Sequence, residues 1–502
     1  MLKLFKNKTQ DIDPHPLPHP EYDIPISVSG VQKLFSDCAD LQTRRVFFGG
    51  TDEPIWVCWM DGLTDGAEVA EQVIRPLTDP ARFPKGGPKP LEAAAHGLIY
   101  AGSMTRCDSM DALAAALLGG SAALLGEGCA LCFEVKSRSR RSVSEPQAEK
   151  TVKGGKDAFV ETLRVNTALV RNRLRTPKLK LRQTVVGRKS RTDVSILWID
   201  GVAKAETVTL VQKRLDRIDA DALLQADLLE SALADTPRSP FPQVMHTERA
   251  DAFSMALLRG QVGLLAEGLP LGFLAPATLP AMLCTAEDGS QHFLIASALR
   301  LLRWTALLLT LFLPALYVAT AMYHQEMIPL KLLLSVIESK QNVPYPTPIE
   351  ILGMLVAFEL LQEAGLRLPD SIGQTVSIVG ALIVGQSAVE ARVISPIAVI
   401  VVAVTGIAGF TIPNQDLAAT LRLGRFGMVL AAIAAGMFGV VAAATALLWH
   451  LCSLESFGAD YMSPLSSGRM RDGAGVLTRV PESKARFRPE ETAGWDKRRR
   501  AP

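Results

Sequence analysis

The sequence predicts an α/β cytoplasmic domain of two duplicated subdomains, followed by an all-α polytopic membrane domain. Three observations carry that prediction. Up to about Ser297 apolar and polar residues are mixed as in a globular protein, whereas residues 299–451 are dominated by Leu, Ile, Val, Ala and Gly. In the first part, two motifs recur at an almost constant spacing, the mark of repeated structural units. In the second part, several apolar stretches approach the roughly 20 residues that cross a bilayer core as a helix.

Composition narrows the function classes. The 502 residues carry 53 basic and 51 acidic side chains, a net charge of +2, which gives no footprint for nucleic acid. The seven cysteines are Cys38, Cys58, Cys107, Cys129, Cys132, Cys284 and Cys452, and they form no disulfide framework. Cys129 and Cys132 make a CxxC without a second pair, so buried thiols are expected rather than zinc or redox chemistry. The chain contains no nucleophile elbow, phosphate-binding loop, HExxH or dinucleotide fingerprint. No catalytic, cofactor-binding or metal-ligating residue is therefore assigned, and no enzyme activity is expected.

Residues 1–30 are rich in Pro, His and charge and read as a flexible leader, with His15 and His19 as part of it. The first basic residues precede no apolar core of signal-peptide length, so the large N-terminal part is expected in the cytoplasm. A first α/β subdomain is expected over 31–135 and a second over 159–297, joined by a basic linker at 136–158. An apolar strand ending in Asp61-Gly62 is echoed by one ending in Asp200-Gly201, an offset of 139. Leu117, Leu124, Glu127-Gly128, Leu131 and Phe133 recur as Leu257, Leu264, Glu267-Gly268, Leu271 and Phe273, an offset of 140. Each unit reads as strand, Asp-Gly turn, helix (67–77; 206–218), then a second helix and a hairpin turned by glycine. A helix with spaced arginines follows the linker at 159–175, and the proline-rich residues 236–243 read as an extended connector.

The membrane domain is expected over 298–455, with four to five transmembrane helices and one re-entrant or broken piece. Residues 304–322 span, with Arg300 and Arg303 at their head. Residues 328–337 form a short amphipathic segment, and three prolines keep 343–348 extended. Residues 349–361 are only 13 long and carry Glu350 and Glu359, which favours the re-entrant piece. Residues 372–389 and 393–412 read as a helical pair, and 426–451 as a final Gly/Ala-rich span. A basic tail, 456–502, closes the chain. If it shares the N-terminal side the crossings are even in number, four; Arg422 and Arg425 favour five.

Charge at membrane depth is costly and so marks function. Glu350, Glu359, Gln386 and Glu390 are the candidates for an ion path or coupling element. Glu359, Glu363 and Arg367 fall at i, i+4 and i+8 on one helical stripe. Glu363 and Arg367 pair at good spacing and read as a structural ion pair. Glu359 has no opposite charge at i+4 and is the stronger conducting candidate.

Long collinear stretches carry a family resemblance: residues 145–179, PFPQ (240–243), 315–340, VPYPTPIE, FELLQEAGLRLP, IGQTVSIVGALIVGQSAVEA and SFGADYMSP (456–464). Through them the chain resembles the A-subunit family of GerA-type spore germination receptors over nearly its whole length. The resemblance implies a spore inner-membrane protein with a cytoplasmic N-terminal domain. It also implies a transporter-like B subunit and a lipoprotein C subunit as partners, beside a homo-oligomer of this chain and membrane lipid. Nutrient-triggered germination through a gated cation channel is the implied function; a solute-transporter subunit or a non-conducting scaffold that clusters receptor subunits is the alternative. Three positions depart from the family pattern: Arg392 stands where glycine is usual, Asp460 where proline is usual, and Gly289-Ser290 where an aromatic pair is usual.

Overall fold

A computed structural model describes residues 22–49, 54–79, 90–95, 99, 103–137, 145–146, 148–149, 151, 153–367, 385–466, 477–481, 487–489 and 492–498. Residues 1–21 of the expected leader, most of the span at 372–389 and parts of the linker and tail lie outside the described residues, while the leader's last residues, from Val28, already belong to a helix.

The first subdomain is built on strands β1 (Leu41–Phe47), β2 (Pro54–Met60), β3 (Met104–Cys107), β4 (Ser121–Leu125) and β5 (Ala130–Glu134), in the order β1-β2-β4-β5-β3. All pairs are antiparallel. Helices cover both faces, so the central strands are apolar throughout instead of alternating. On one face helices α1 (Val28–Leu34) and α2 (Met110–Leu118) bring Val31, Leu113 and Leu117 against Cys58, Met60 and Ala123. On the other, Val69, Val73 and Leu77 lie on Val57, Leu124 and Phe133. The expected helix over 67–77 is there, but its middle, Val69–Ile74, is wound as a π-helix.

The second subdomain has the same strand order. Strands β6 (Leu179–Val186), β7 (Thr192–Ile199), β8 (Met245–Thr247), β9 (Val262–Ala266) and β10 (Gly272–Ala275) run β6-β7-β9-β10-β8. Helices α3 (Leu163–Arg173), α4 (Ala205–Leu215), α5 (Ala226–Leu233) and α6 (Ala250–Leu258) complete it. The residues of the 140 offset occupy equivalent places: Leu124 and Leu264 on the fourth strand, Phe133 and Phe273 on the fifth. Gly62 and Gly201 of the Asp-Gly pairs have φ of +81° and +80°, a conformation that glycine adopts without strain. The edge strands β1, β3, β6 and β8 are more polar and escape a reading based on apolar runs. Arg171 clamps the two subdomains: its guanidinium donates to both carboxylate oxygens of Asp40, at 2.6 and 2.9 Å, and to the Leu179 carbonyl at 2.6 Å, all buried.

The helical half begins with α7 (Phe293–Met322), 30 residues long. At its base Asp288 accepts from Arg300 at 3.1 Å and from two nitrogens of Arg303 at 2.9 Å. There follow α8 (Leu330–Lys340), α9 (Thr347–Arg367), α10 (Pro396–Phe410) and α11 (Gln415–Ser453). Residues 385–390 are also helical. Among the described residues two helices, α7 and α11, are long and apolar enough to cross a membrane.

Two expectations about these helices need correction. The 13-residue piece at 349–361 is part of a continuous 21-residue helix, α9, because Glu359, Gln362 and Glu363 are good helix formers that extend it beyond the apolar run. The expected single final span at 426–451 instead contains the reversal of a hairpin. Helix α11 has non-helical backbone at Ala435 and Gly436, the latter with φ +59° and ψ −138°. Thr420 Oγ1 donates to the carbonyl of Pro240, while His450 Nε2 lies 3.0 Å from Oγ of the adjacent Ser239. Thirty residues of straight helix would hold these two positions about 45 Å apart. The chain therefore reverses at Gly436, and the two legs lie side by side. A Cβ built on Gly439 would stand only 2.0 Å from the Ala431 carbonyl oxygen.

Levels in the bundle follow from its contacts. Tyr323, just past the end of α7, donates to the Ile433 carbonyl at 2.7 Å beside the reversal, which fixes the end of the bundle remote from the α/β subdomains. The tail returns to the second subdomain. Gly494 and Asp496 donate their N–H groups to the carbonyls of Val202 at 2.7 Å and Gly201 at 2.9 Å, and Arg488 Nε donates to the Leu258 carbonyl at 3.0 Å.

Candidate functional site

The candidate residues of the helical half fall into three separate places rather than one stripe. Glu350 lies in the first turn of α9 and is 2% exposed. One carboxylate oxygen accepts the N–H of Ser395 at 2.8 Å, capping the start of α10. The other is 3.2 Å from the Lys340 ammonium, oriented as a charge contact rather than a hydrogen bond. A buried carboxylate needs such compensation, since an unpaired one would be neutralised by protonation. Glu350 thus ties α8, α9 and α10 together at the remote end of the bundle.

Nine residues, or about 13 Å along the helix, separate it from Glu359. Glu359, which has no opposite charge at i+4 on its own helix, finds its partners on another. Arg425, on the first leg of α11, donates to its Oε1, and Arg422 lies 3.7 Å from its Oε2. Arg422 Nη1 also donates to Gln362 Oε1 at 2.9 Å. The i+4 rule searched only within one helix, and the partners come from another. Arg422 and Arg425 are therefore internal partners and not charges flanking the last span. Arg425 is 1% exposed, its guanidinium carbon 5.7 Å from the centre of the Phe426 ring, and its buried Nε has no acceptor among the described residues. Two arginines on one carboxylate leave the cluster with a net positive charge. Its outer edge stays open, with the Glu359 side chain 28% and the Arg422 side chain 31% exposed.

Gln386 and Glu390 form the third place. They are exposed and Gln386 Nε2 donates to Glu390 Oε1 at 2.9 Å, the i, i+4 relation read in the sequence. Glu363 is exposed on α9, and the Arg367 side chain lies outside the described residues, so their pairing is not addressed by the structure.

The sequence reading missed Arg422, Arg425, Gln362 and Lys340 as site residues. The signal available was an arginine followed by an apolar run of span length, which demands a buried partner.

A second locus joins the α/β and helical halves, and here the resemblance motifs meet. In PFPQ, Phe241 stacks near His450 and Tyr461, with ring centres at 6.0 and 6.4 Å. In SFGADYMSP, Ser456 Oγ donates to the Gln243 carbonyl at 2.8 Å and accepts from the Ala277 N–H at 2.9 Å. The Phe457 N–H donates to Asp235 at 2.6 Å, while the Arg214 guanidinium covers its ring at 4.4 Å. Beside this lock, His246 of β8 faces Glu230 of α5 and Asp416 in the first turn of α11. Asp416 first, then Glu230, pushes the imidazole up to about 10 against the opposing effect of burial.

With this geometry established, relatives can be compared. The sequence profile of the family described as "Bacillus/Clostridium GerA spore germination protein" matches residues 29–491. The "Uncharacterized membrane protein YfkQ" of Bacillus subtilis (strain 168) is 36% identical over 454 residues, 89% of this chain and 87% of that protein. "Spore germination protein B1" of the same organism is 34% identical over 470 residues, 93% and 96% of the two chains. "Spore germination protein GerLA" of Bacillus cereus is 32% identical over 453 residues, 90% and 92%. Among solved structures, the N-terminal domain of the A subunit of the Bacillus megaterium spore germinant receptor GerK3 aligns with a TM-score of 0.41 at 25% identity, covering 51% of this chain and 97% of that one.

Proposed function

The chain belongs to the GerA family of spore germination proteins, and from that premise we propose that it is the A-type subunit of a nutrient-responsive germinant receptor whose helical half oligomerises into a gated cation path. In this reading it sits in the spore inner membrane with its two α/β subdomains in the cytoplasm. A transporter-like B subunit and a lipoprotein C subunit complete the receptor. The docking of the tail on the second subdomain supports a topology with both on one side of the membrane. It also supports an even number of crossings.

The observation that carries the conduction reading is the Glu359–Arg425–Arg422–Gln362 cluster. Ionisable groups inside an apolar bundle are costly and commonly mark a functional path. The partly exposed edge of this cluster is open to a neighbouring protomer, and its paired centre couples α9 to the α11 hairpin. A partner that shifts one helix against the other changes how many of these charges face the path. Catalysis has no part in this reading.

The test is potassium efflux from vegetative cells producing the chain with its B and C partners, wild type against Glu359→Gln. Nutrient-dependent efflux that the substitution alters at equal expression supports the reading. Saturable solute uptake without efflux favours a transporter subunit. An assembled complex that passes no ions with either chain favours a scaffold.

A further inference from the structure

We propose that Glu230, His246 and Asp416 form a divalent metal site that clasps the second α/β subdomain to the membrane hairpin. The three come from α5, β8 and the start of α11, so no sequence spacing announces them.

The spacing of their ligand atoms suits a small cation. His246 Nδ1 is 3.4 Å from Glu230 Oε1 and 3.2 Å from Asp416 Oδ2, and one ligand atom from each of the three residues lies within 4.8 Å of the others. An ion bound at about 2.0–2.2 Å holds adjacent ligand atoms about 3.0–3.5 Å apart, in tetrahedral or octahedral geometry. The hydrogen-bond inventory points the same way. Nδ1 of an imidazole carries at most one hydrogen, yet two carboxylates face it. Both Nδ1 and Asp416 Oδ2 are buried atoms that make no well-directed hydrogen bond. One proton cannot serve three converging atoms, whereas one cation can bind them all. Next to His246, Thr247 Oγ1 donates to Glu149 Oε2 at 2.7 Å. A ligand set of one imidazole and two carboxylates favours zinc, manganese or iron(II) over calcium and magnesium, which prefer oxygen alone. The remaining coordination positions fall to water. The inference is independent of whether the bundle conducts.

The site places a bond between a soluble helix, an edge strand and the first turn of a membrane helix. Beside it, Thr420 reaches Pro240 and Phe241 packs on His450, so the ion would complete an existing lock.

The experiment uses the full chain in detergent, stripped with a chelator, and titrated calorimetrically with Zn2+, Mn2+ and Ca2+. One equivalent of Zn2+ or Mn2+ is expected, with affinity falling at least tenfold in His246→Gln and Asp416→Asn and little response to Ca2+. Co2+ should give visible ligand-field absorption that His246→Gln loses, which separates this site from metal captured by cysteines. Glu230→Gln tests the third ligand: the rise in its unfolding midpoint on adding Zn2+, measured from its own metal-free value, should be smaller than that of wild type. A folded wild-type chain that binds no metal, or binding that His246→Gln leaves unchanged, overturns the site and leaves an imidazolium salt bridge in its place.

Discussion

Arg392 has φ +54°, the left-handed region that a side chain enters at a cost of about 1–2 kcal/mol. It follows the exposed Gln386–Glu390 turn and precedes Ser395, whose N–H caps onto Glu350. The family resemblance leads to glycine at this position, and the backbone supplies the reason. Arg392→Gly should therefore stabilise the chain by about 0.5–1 kcal/mol, after the larger entropy lost by glycine on folding is counted. A raised thermal midpoint in detergent checks this, and a lowered one would mean that the arginine side chain makes a contact worth more than the strain. At this scale the sequence was informative where chemistry is local. The Asp61-Gly62 and Asp200-Gly201 turns, and the Gln386–Glu390 pair, were all legible from neighbours in the chain. The partners of Glu359 and Glu350 were not, because Arg425 and Lys340 reach them across helix packing that no local spacing encodes. Glu230, His246 and Asp416 are the extreme case.

Among the elements, the α11 hairpin departs most from its sequence. A Gly/Ala-rich apolar run of 26 residues (426–451) has the length and composition of one span, and nothing in hydropathy marks a reversal. Only the backbone shows it, at Gly436, where φ +59° with ψ −138° is a combination reserved in practice for glycine. A Cβ there would also meet the Tyr323 ring at 2.9 Å. Gly436→Val should cost about 1–3 kcal/mol from strain alone and lower the thermal midpoint of the purified chain. Gly427→Ala is the control: its Cβ meets nothing within 4 Å, φ is ordinary, and alanine is the better helix former. Equal midpoints for Gly436→Val and wild type would argue that the two legs are one continuous helix. The sheets tell the complementary story. Their buried central strands and helical cover were readable because continuous apolar runs and a repeated offset survive in the sequence. The edge strands β1, β3, β6 and β8 were not, since an edge has only one neighbour and tolerates polar residues.

For the whole molecule, the open question of the sequence reading was the side on which the chain ends. The contacts of the tail with Gly201, Val202 and Leu258 put it against the second subdomain. Both ends of the hairpin reach that subdomain too, through Thr420 and His450, while Tyr323 and Gly436 meet at the opposite end. Each hairpin leg of 17–20 residues rises about 26–30 Å, close to the thickness of a bilayer core. Insertion of both legs therefore carries an arithmetic consequence: the chain leaves the membrane on the side where it entered. Two positions report on this without touching the core. Cys452 is exposed at the end of the returning leg, and Ser335 is exposed on α8 near the remote end. In variants whose one cysteine is Cys452 or the product of Ser335→Cys, a membrane-impermeant maleimide should label them from opposite faces of sealed vesicles. Cys452 should react from the face on which protease removes the α/β subdomains. Labelling of both from one face would show that the hairpin lies on the membrane instead of crossing it. A Cys452 that reacts only opposite the subdomains would require an odd number of crossings and a tail detached from Val202. The lock at Phe241 and Ser456 would then be absent in the membrane, so reaction from the subdomain side tests at once the topology and the joint through which a soluble domain could move the hairpin.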